Sequence, residues 1–365
     1  MHAASKILLF LAVFLLAAPR SGRADVTPAA GYQTAFVSPL TNAYSFQSFL
    51  GAFDANGNLV LGTRDAIHPA ANHRILSVAP DGVDSILSTA AQYPPPDRLL
   101  GSIRSIPGDP GSMFILDGGS YIPCDASDDD GRLLQLDLQT GAIVSIASGG
   151  LYDTVGMDRD PISGNLYLAD RGCSSTGVPP SGMVHVWDGN ILSTTSLNIQ
   201  QADDLVFLSD GTYYFIGADA LGNPGIFHVS GDTVVGTYAT LSGIGGRLAI
   251  HDGSGAMPAG VYASVFEGGQ AKLLWLPDAD GDFVADQVVS IATGNQSFGF
   301  GGIVFDAQGR LLVIDQTVMD LIAISTIPIP APLSSPIGLF VMGILLCGLV
   351  VASLTRHGAA RRIPF

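Results

Sequence analysis

Four aspartates in the last third of the chain have a spacing that suits metal chemistry. They lie in the segment DADGDFVAD, at Asp278, Asp280, Asp282 and Asp286. Carboxylate oxygens at alternate positions of one loop can converge on a single hard cation such as calcium. The spacing therefore predicts a calcium site, with a plain acidic turn as the alternative.

A second acidic pattern is spread along the chain. One carboxylate ends, or closely follows, each of six short apolar segments: Asp65, Asp117, Asp170, Asp219, Glu267 and Asp315. Asp203 and Asp204 stand together between two of these segments. Acids that a fold brings together can bind a cation or a sugar, whereas isolated acids cap turns by accepting backbone N–H bonds. The elements that carry the acids decide between the two.

Those elements recur along the sequence. A short strand, an Asp/Gly turn and a second aliphatic or aromatic strand begin at six places with a period of roughly 50 residues, at Phe53, Ile106, Met157, Phe207, Ile250 and Phe305. A third strand follows each copy, as in RILSVA and MVHVWDG, and a fourth is visible as AIVSIAS and QVVSIAT. Four antiparallel strands per repeat predict an all-β, six-bladed β-propeller over residues 25–326.

The sixth repeat ends after three strands at Ser325, and YQTAFVS near residue 32 can supply the missing edge strand and close the ring. A seven-bladed propeller and a pair of β-sandwiches are alternatives, but six even copies argue against both. In a propeller, the loops after the second strands and the loops entering each blade open at one end of the channel. The six repeat acids, with Asp203 and Asp204, are therefore predicted to surround this mouth and bind a ligand there. One acid per repeat is also what turn capping alone would produce.

The segment GNLVLGTRDAIHPAANHRILSVAPDG resembles the NHL and SMP-30-like six-bladed propellers, and the likeness extends over most of residues 31–326. The resemblance implies either a non-catalytic module that binds a glycan, a protein or calcium, or a metal-dependent lactonase or lyase. SMP-30-like enzymes hold their metal with a Glu, an Asn and an Asp from different blades, and these three have no assigned counterparts here. A quinone-dependent sugar dehydrogenase is a third alternative. The binding module is the first expectation.

The loop at 278–286 resembles the calcium loops of EF-hands and thrombospondin type-3 repeats. It departs from them at Phe283, where a Gly is expected, and it has no Glu at the twelfth position. By the strand count, this loop joins the third and fourth strands of blade five, away from the predicted mouth. His68 and His73, in the blade-one mouth loop, are further candidates for a base or a ligand. His185 and His228 occupy matching third-strand positions, which fits packing better than catalysis.

Both ends of the chain carry signals for export. Residues 1–24 have a basic residue before an apolar run, as in a signal peptide. At the other end, a Pro-rich stretch at 327–336 precedes an uncharged apolar run at 337–354, the length of a transmembrane helix. A basic tail follows at 355–365 and is expected to stay in the cytoplasm. The chain is therefore expected to be exported and anchored in the inner membrane.

The tail resembles the PEP-CTERM and VPLPA-CTERM sorting signals of Gram-negative bacteria, on residues Pro328, Pro330, Ala331 and Pro332. The resemblance implies processing by an exosortase and a final location at the cell surface or in the extracellular matrix, with a glycan or envelope protein as partner. A plain membrane anchor is the alternative.

Composition excludes one class of partner. The net charge is −16 and only 13% of residues are charged, so binding to nucleic acid, which depends on Lys and Arg, is not expected. Cys347 lies in the apolar tail, which leaves Cys124 and Cys173 as the only possible disulfide of the exported domain. An oxidising compartment permits that bond, but sequence spacing does not establish it.

Overall fold

The structure is a computed structural model that describes residues 26–43, 47–64, 73–92, 100–118, 130–172, 182–294 and 300–327. Several predictions made above lie outside these ranges: the signal peptide, the sorting motif, the apolar run and basic tail, Asp65, His68 and the Cys124–Cys173 pair. The described ranges contain no apolar helix of the length that a bilayer crossing requires.

The described chain forms six antiparallel sheets, which are the six blades of the predicted propeller. Blades one to three comprise β3 (Gln47–Phe53), β4 (Leu59–Arg64), β5 (His73–Val78) and β6 (Asp84–Thr89); β7 (Leu100–Ile106), β8 (Asp109–Asp117), β9 (Arg132–Asp137) and β10 (Ile143–Ser148); and β11 (Thr154–Arg159), β12 (Leu166–Asp170), β13 (Met183–Trp187) and β14 (Leu192–Thr194). A 3-10 turn, Ala90–Gln92, follows β6.

Blades four and five continue the same order. They comprise β15 (Ile199–Phe207), β16 (Tyr213–Asp219), β17 (Pro224–Ser230) and β18 (Thr233–Thr240); and β19 (Ile244–His251), β20 (Gly260–Glu267), β21 (Gln270–Leu276) and β22 (Val289–Gly294). Blade six contributes β23 (Ile303–Phe305), β24 (Leu311–Asp315) and β25 (Asp320–Thr326). The predicted hairpins and third strands are confirmed.

The N-terminal strand closes the ring, as predicted. β2 (Tyr32–Pro39) pairs with β25 in antiparallel register, with Tyr32 opposite Thr326 and Ala35 opposite Ala323. A two-residue strand that the sequence did not predict, β1 (Thr27–Pro28), adds a fifth strand to blade five by pairing with β22. The start of the described chain is thus tied to both of the last two blades.

The apolar core lies between neighbouring blades. Val60 and Ile75 of blade one pack with Ile103 and Ile115 of blade two in one cluster of fully buried side chains. Burying one such side chain stabilises the fold by about 1.5–3 kcal/mol. Because each blade covers the face of the next, the first strands are held around a common channel, and the loops at its ends are free to carry a site.

Candidate functional site

The mouth is the end of the channel at which second strands end and first strands begin. Three of the predicted mouth acids cap turns there. Asp170 accepts hydrogen bonds from the backbone N–H groups of Tyr152, Asp153 and Gly172, at 2.8, 3.0 and 2.7 Å. Asp219 accepts hydrogen bonds from Asn223 Nδ2 at 3.0 Å and from Leu221 N and Asn223 N, both at 2.9 Å. These bonds, and the side-chain bond from Asn223 most of all, hold the pKa of Asp219 below its usual value.

Asp315 is fully buried, and its Oδ1 accepts bonds from Thr317 N at 3.0 Å and Thr317 Oγ1 at 2.6 Å. Two further predicted acids form ion pairs. The carboxylate of Asp117 is buried against the guanidinium of Arg132, with Nη2 and Oδ2 2.5 Å apart. Glu267 lies 2.7 Å from Lys272 Nζ. These contacts give the acids structural roles. Binding of a ligand by the predicted mouth acids as a set stays a prediction.

A tighter group of charges lies at the entry to blades three and four. We call Asp153, Asp170, Arg171 and Asp203 the Asp153 cluster. Arg171 Nε donates a short hydrogen bond to Asp203 Oδ1, and its Nη1 lies 3.7 Å from Asp153 Oδ2. Gln201 Nε2 donates to both oxygens of Asp203, at 2.9 and 3.0 Å. Asp203, a predicted site residue, is therefore drawn into this cluster.

Asp153 has the properties of a reactive group. Its side chain is 4% exposed, and its Oδ1 has no hydrogen-bond partner within the described structure. Burial raises the pKa of Asp153 to about 6, with Arg171 opposing the rise and the carboxylates of Asp170 and Asp203 adding to it. A carboxyl group that titrates near neutral pH, with one oxygen uncommitted, is suited to accept a proton or to bind a cation.

The sequence analysis missed Asp153 because Asp153 lies outside the repeat of second-strand acids. It stands directly before β11, the first strand of blade three, whereas Asp203 and Asp204 lie within β15, the first strand of blade four. The sequence feature that could have identified Asp153 is the position of an acid directly before the first strand of a blade.

Asp204 is buried, as its neighbour Asp203 is. It is 2% exposed, Oδ2 accepts from Leu248 N at 2.9 Å, and burial raises its pKa. A Cβ on Gly156 would lie 2.5 Å from Asp204 Cα, so glycine allows the first strands of blades three and four to approach. Across the channel, Arg247 of blade five donates from Nη2 to Gly101 O at 3.2 Å and from Nη1 to Asp203 O at 3.3 Å.

The histidines of the third strands are packed in the structure. His73 is 2% exposed, and burial lowers its pKa to about 4, which keeps the ring neutral above that pH. His185 Nδ1 lies 3.0 Å from Thr194 Oγ1, and its Nε2 lies 3.3 Å from Asp170 Oδ2 without hydrogen-bond geometry. His228 stacks on Phe283 with ring centroids 4.2 Å apart.

The acidic loop of blade five lies between β21 and β22, as predicted. One ligand oxygen each from Asp278, Asp280 and Asp282 lies within 4.8 Å of the other two, and no other described group of three acidic, His or Cys residues meets this condition. Asp286 instead accepts Ala279 N at 2.7 Å. Phe283 has a φ of 63°, so it adopts the left-handed backbone for which calcium loops normally use glycine.

No protein-family model and no curated protein matches the sequence. Solved structures share the fold. A gluconolactonase from Xanthomonas campestris is 15% identical, with a TM-score of 0.52 over 83% of this chain and 96% of that one. An oxidoreductase of Thermus thermophilus described as a glucose dehydrogenase is 12% identical, with a TM-score of 0.56 over 80% and 100%. A streptogramin B lyase is 9% identical, with a TM-score of 0.50 over 81% and 98%. The chain is thus a six-bladed propeller with gluconolactonase-like structural neighbours.

Proposed function

We propose that the chain hydrolyses lactones of sugars at the Asp153 cluster. The buried, uncommitted carboxylate of Asp153 at the channel mouth carries this proposal. The proposal reverses the first expectation from the sequence, which was a non-catalytic binding module. The activity of the Xanthomonas campestris neighbour supports a sugar lactone as the substrate class, although a shared fold alone never assigns a function.

The cluster supplies the two groups that lactone hydrolysis needs. The carboxylate of Asp153 accepts a proton from water as the water oxygen attacks the carbonyl carbon, and the same carboxyl returns the proton to the ring oxygen when the C–O bond breaks. The guanidinium of Arg171 is 28% exposed and places positive charge beside Asp153, with Nη1 3.7 Å from Asp153 Oδ2. Such a charge stabilises the negative charge that develops on the carbonyl oxygen. Asp170 and Asp203 hold Asp153 and Arg171 in place.

A divalent cation is a further candidate for this site. The free oxygen of Asp153 and the carboxylate of Asp203 are hard donors of the kind that calcium and magnesium prefer. Asp203 also accepts hydrogen bonds from Arg171 and Gln201, and the cluster does not bring three ligand atoms within 4.8 Å of one another, so a cation would compete with Arg171 for Asp203. A cation held there would polarise the lactone carbonyl and so supply the kind of charge that Arg171 supplies.

The first test is the hydrolysis of glucono-δ-lactone by the purified chain, measured as proton release above the spontaneous rate. Because the active base is the carboxylate, we expect kcat/KM to rise with pH through an apparent pKa of about 6, the value to which burial raises Asp153. Treatment with EDTA is expected to lower the rate, and added Mg²⁺, Mn²⁺ or Ca²⁺ to restore it. A rate equal to the spontaneous one between pH 5 and 8 contradicts the proposal.

We also propose that the loop at 278–286 binds calcium as a structural ion. Asp278 Oδ1 accepts Gly281 N at 2.8 Å, so the loop already has the curvature of a cation site. Its backbone also contacts blade four, because Ala285 N donates to Tyr238 O at 2.8 Å. An ion here would therefore tie blade five to blade four, far from the lactone.

Calcium is accordingly expected to raise the melting temperature of the chain by about 5 °C at saturation, since a ligand at 100 times its Kd adds about 2.7 kcal/mol. The rise should disappear in Asp280→Asn and persist in Asp210→Asn, an exposed turn acid whose Oδ1 caps Thr212 N. Differential scanning calorimetry with and without calcium measures both. An equal loss of the calcium effect in the two variants would remove the loop as the site.

Export and anchoring are further proposals, supported by residues 1–24 and 327–362. We expect the mature protein, purified from its own host, to lack the segment before Asp25. Released material should also lack everything beyond roughly Pro328 to Leu333 if an exosortase processes the tail. Intact mass spectrometry of membrane and extracellular fractions measures both ends. A tail retained in all fractions would favour the plain anchor.

A further inference from the structure

A groove lies on the face opposite the mouth, between the hairpin turns of blades five and six. It has a volume of about 470 Å³ and is lined by Ile250, His251, Asp252, Ser254, Phe305 and Asp306 among others. This volume falls within the range of small-molecule sites in proteins. None of these residues belongs to the Asp153 cluster or to the loop at 278–286.

The groove is held open by fixed contacts. The two turns are joined by a hydrogen bond from Ala256 N to Gln308 O, at 3.1 Å. Asp252 Oδ1 accepts Ser254 N at 2.8 Å and Ser254 Oγ at 2.5 Å, which orients its carboxylate. Asp306 is held by Gln308 N at 3.0 Å and by Arg310 Nε at 2.7 Å. A ligand would therefore meet polar groups that are already positioned.

One polar atom in the groove has no hydrogen-bond partner among the described residues. His251 is 7% exposed, and its Nδ1 accepts a hydrogen bond from Gly253 N at 3.1 Å. An Nδ1 that accepts leaves the ring proton on Nε2. Nε2 donates to no atom of the described chain, and it faces the turn at Gly309, where a Cβ would lie only 2.8 Å away. The groove thus contains an unused N–H donor on a buried ring.

An aromatic wall stands beside this donor. The ring centroids of His251 and Phe305 are 4.3 Å apart, and Tyr262 meets Phe305 edge to face at 5.0 Å. Phe305 is half-buried, so part of its ring lines the groove while the rest is held by the core. Rigid aromatic rings next to a few fixed polar groups are typical of sites that bind small ligands.

We propose that this groove binds a neutral saccharide. A sugar ring can place its C–H face on Phe305, accept a hydrogen bond from His251 Nε2 and donate a hydroxyl to Asp252. Two carboxylates line the groove, and the cation of Arg310 is already paired with Asp306. This charge disfavours uronates and phosphorylated ligands.

This chain has a second groove between hairpin turns, which can be compared with the first. It lies between the hairpin turns of blades one and two, measures about 290 Å³ and is lined by Phe53 and Asp54, which repeat the Phe-Asp pair of blade six. No histidine lines it. Asp109 there caps Gly111 N at 3.0 Å, as Asp252 caps Ser254 N, and so provides a matched control.

Isothermal titration calorimetry of the full chain tests the proposal. The neutral probes are tetrasaccharides of glucose, mannose, galactose and N-acetylglucosamine, and the acidic probe is tetragalacturonate. We expect at least one neutral probe to bind, and Asp252→Asn to weaken it by about tenfold, as the loss of a hydrogen bond to a charged group predicts. His251→Phe, which keeps the ring but removes the donor, should weaken it similarly. Asp109→Asn should bind as the unchanged chain does.

Three results would overturn the proposal: no binding of any neutral probe at millimolar concentration, tighter binding of tetragalacturonate, or equal weakening by Asp252→Asn and Asp109→Asn. Circular dichroism of each variant confirms that the fold is retained. Asp252 is exposed, so Asp252→Asn tests the proposal even if His251→Phe, at a buried position, does not fold. Lactone hydrolysis should be unchanged in all three variants.

Discussion

Replacing Asp153 by Asn is expected to slow lactone hydrolysis by about two to four orders of magnitude, the usual contribution of a general base. The same substitution is expected to stabilise the fold at pH 7. An amide occupies nearly the same volume as the carboxyl group but carries no charge to desolvate, and the side chain of Asp153 is 4% exposed. Loss of activity with a gain in stability distinguishes a reactive group from a structural one.

The expected pH dependence follows from the direction of the shift. The pKa of Asp153 is raised from 3.8 to about 6, chiefly by burial. The folded state therefore binds the proton of Asp153 more tightly than the unfolded state does. The resulting stabilisation of the fold is fully present below pH 3.8 and is lost as the pH rises through 6. At pH 7 the buried carboxylate costs about 2 to 3 kcal/mol relative to its solvated form. Asp153→Asn should regain that amount at pH 7 and little at pH 4.

Urea unfolding at pH 4 and pH 7, combined with the lactone assay, measures both effects. Asp219→Asn is the control, since Asp219 lies at the same end of its blade, caps a turn and is more exposed. It should leave the rate unchanged. Because the pKa of Asp219 is lowered and not raised, Asp219→Asn should not increase the stability at pH 7 relative to pH 4. Retention of hydrolysis by Asp153→Asn would exclude Asp153 as the base, and an unchanged stability at pH 7 would exclude the burial argument.

The fold was predictable because each repeat contains its own turn and strand pattern. Phe53 and Phe305 both begin a Phe-Asp turn and mark equivalent hairpins in blades one and six. The closing strand β2 was predictable for a different reason, because blade six lacked a fourth strand in sequence. β1, by contrast, consists of Thr27 and Pro28 and contains no alternation of polar and apolar residues. Its pairing with β22 depends on tertiary placement alone.

The site was less predictable because burial is not a local property. Asp170, Asp219 and Asp315 stood out as one acid per repeat, and that regularity corresponds to turn capping in the structure. Asp153 is a single acid in the sequence. Its pKa is raised by burial first, and then by the carboxylates of Asp170 and Asp203, which the fold brings close, while Arg171 opposes the rise. The acidic loop was also hard to predict from local sequence. Phe283 has a left-handed backbone there, and its ring stacks on His228 of blade four, a contact that only the tertiary fold creates.

Replacing Arg247 by Met is expected to destabilise the chain by about 3–5 kcal/mol, which is the cost of removing one partner from a buried charged network. The side chain extends from blade five across the channel, and its guanidinium donates to the carbonyl oxygens of Gly101, Val155 and Asp203 in blades two, three and four. Met fills a similar volume but donates no hydrogen bond, so those carbonyls lose this donor. The buried carboxyl of Asp204 would also lose the cation that opposes the rise in its pKa.

Guanidinium chloride unfolding at pH 7 measures this loss, and Arg159→Met provides the matched control. Arg159 is exposed and its Nε donates to one turn carbonyl, Gly164 O, at 2.6 Å, so its removal should cost about 1 kcal/mol or less. Arg247→Lys should fall between the two, because an ammonium keeps the charge but not the planar fork that reaches several blades. If Arg247→Met and Arg159→Met unfold at the same midpoint, the contacts of Arg247 do not hold the blades together. A large difference would make this arginine the polar counterpart of the apolar packing between blades.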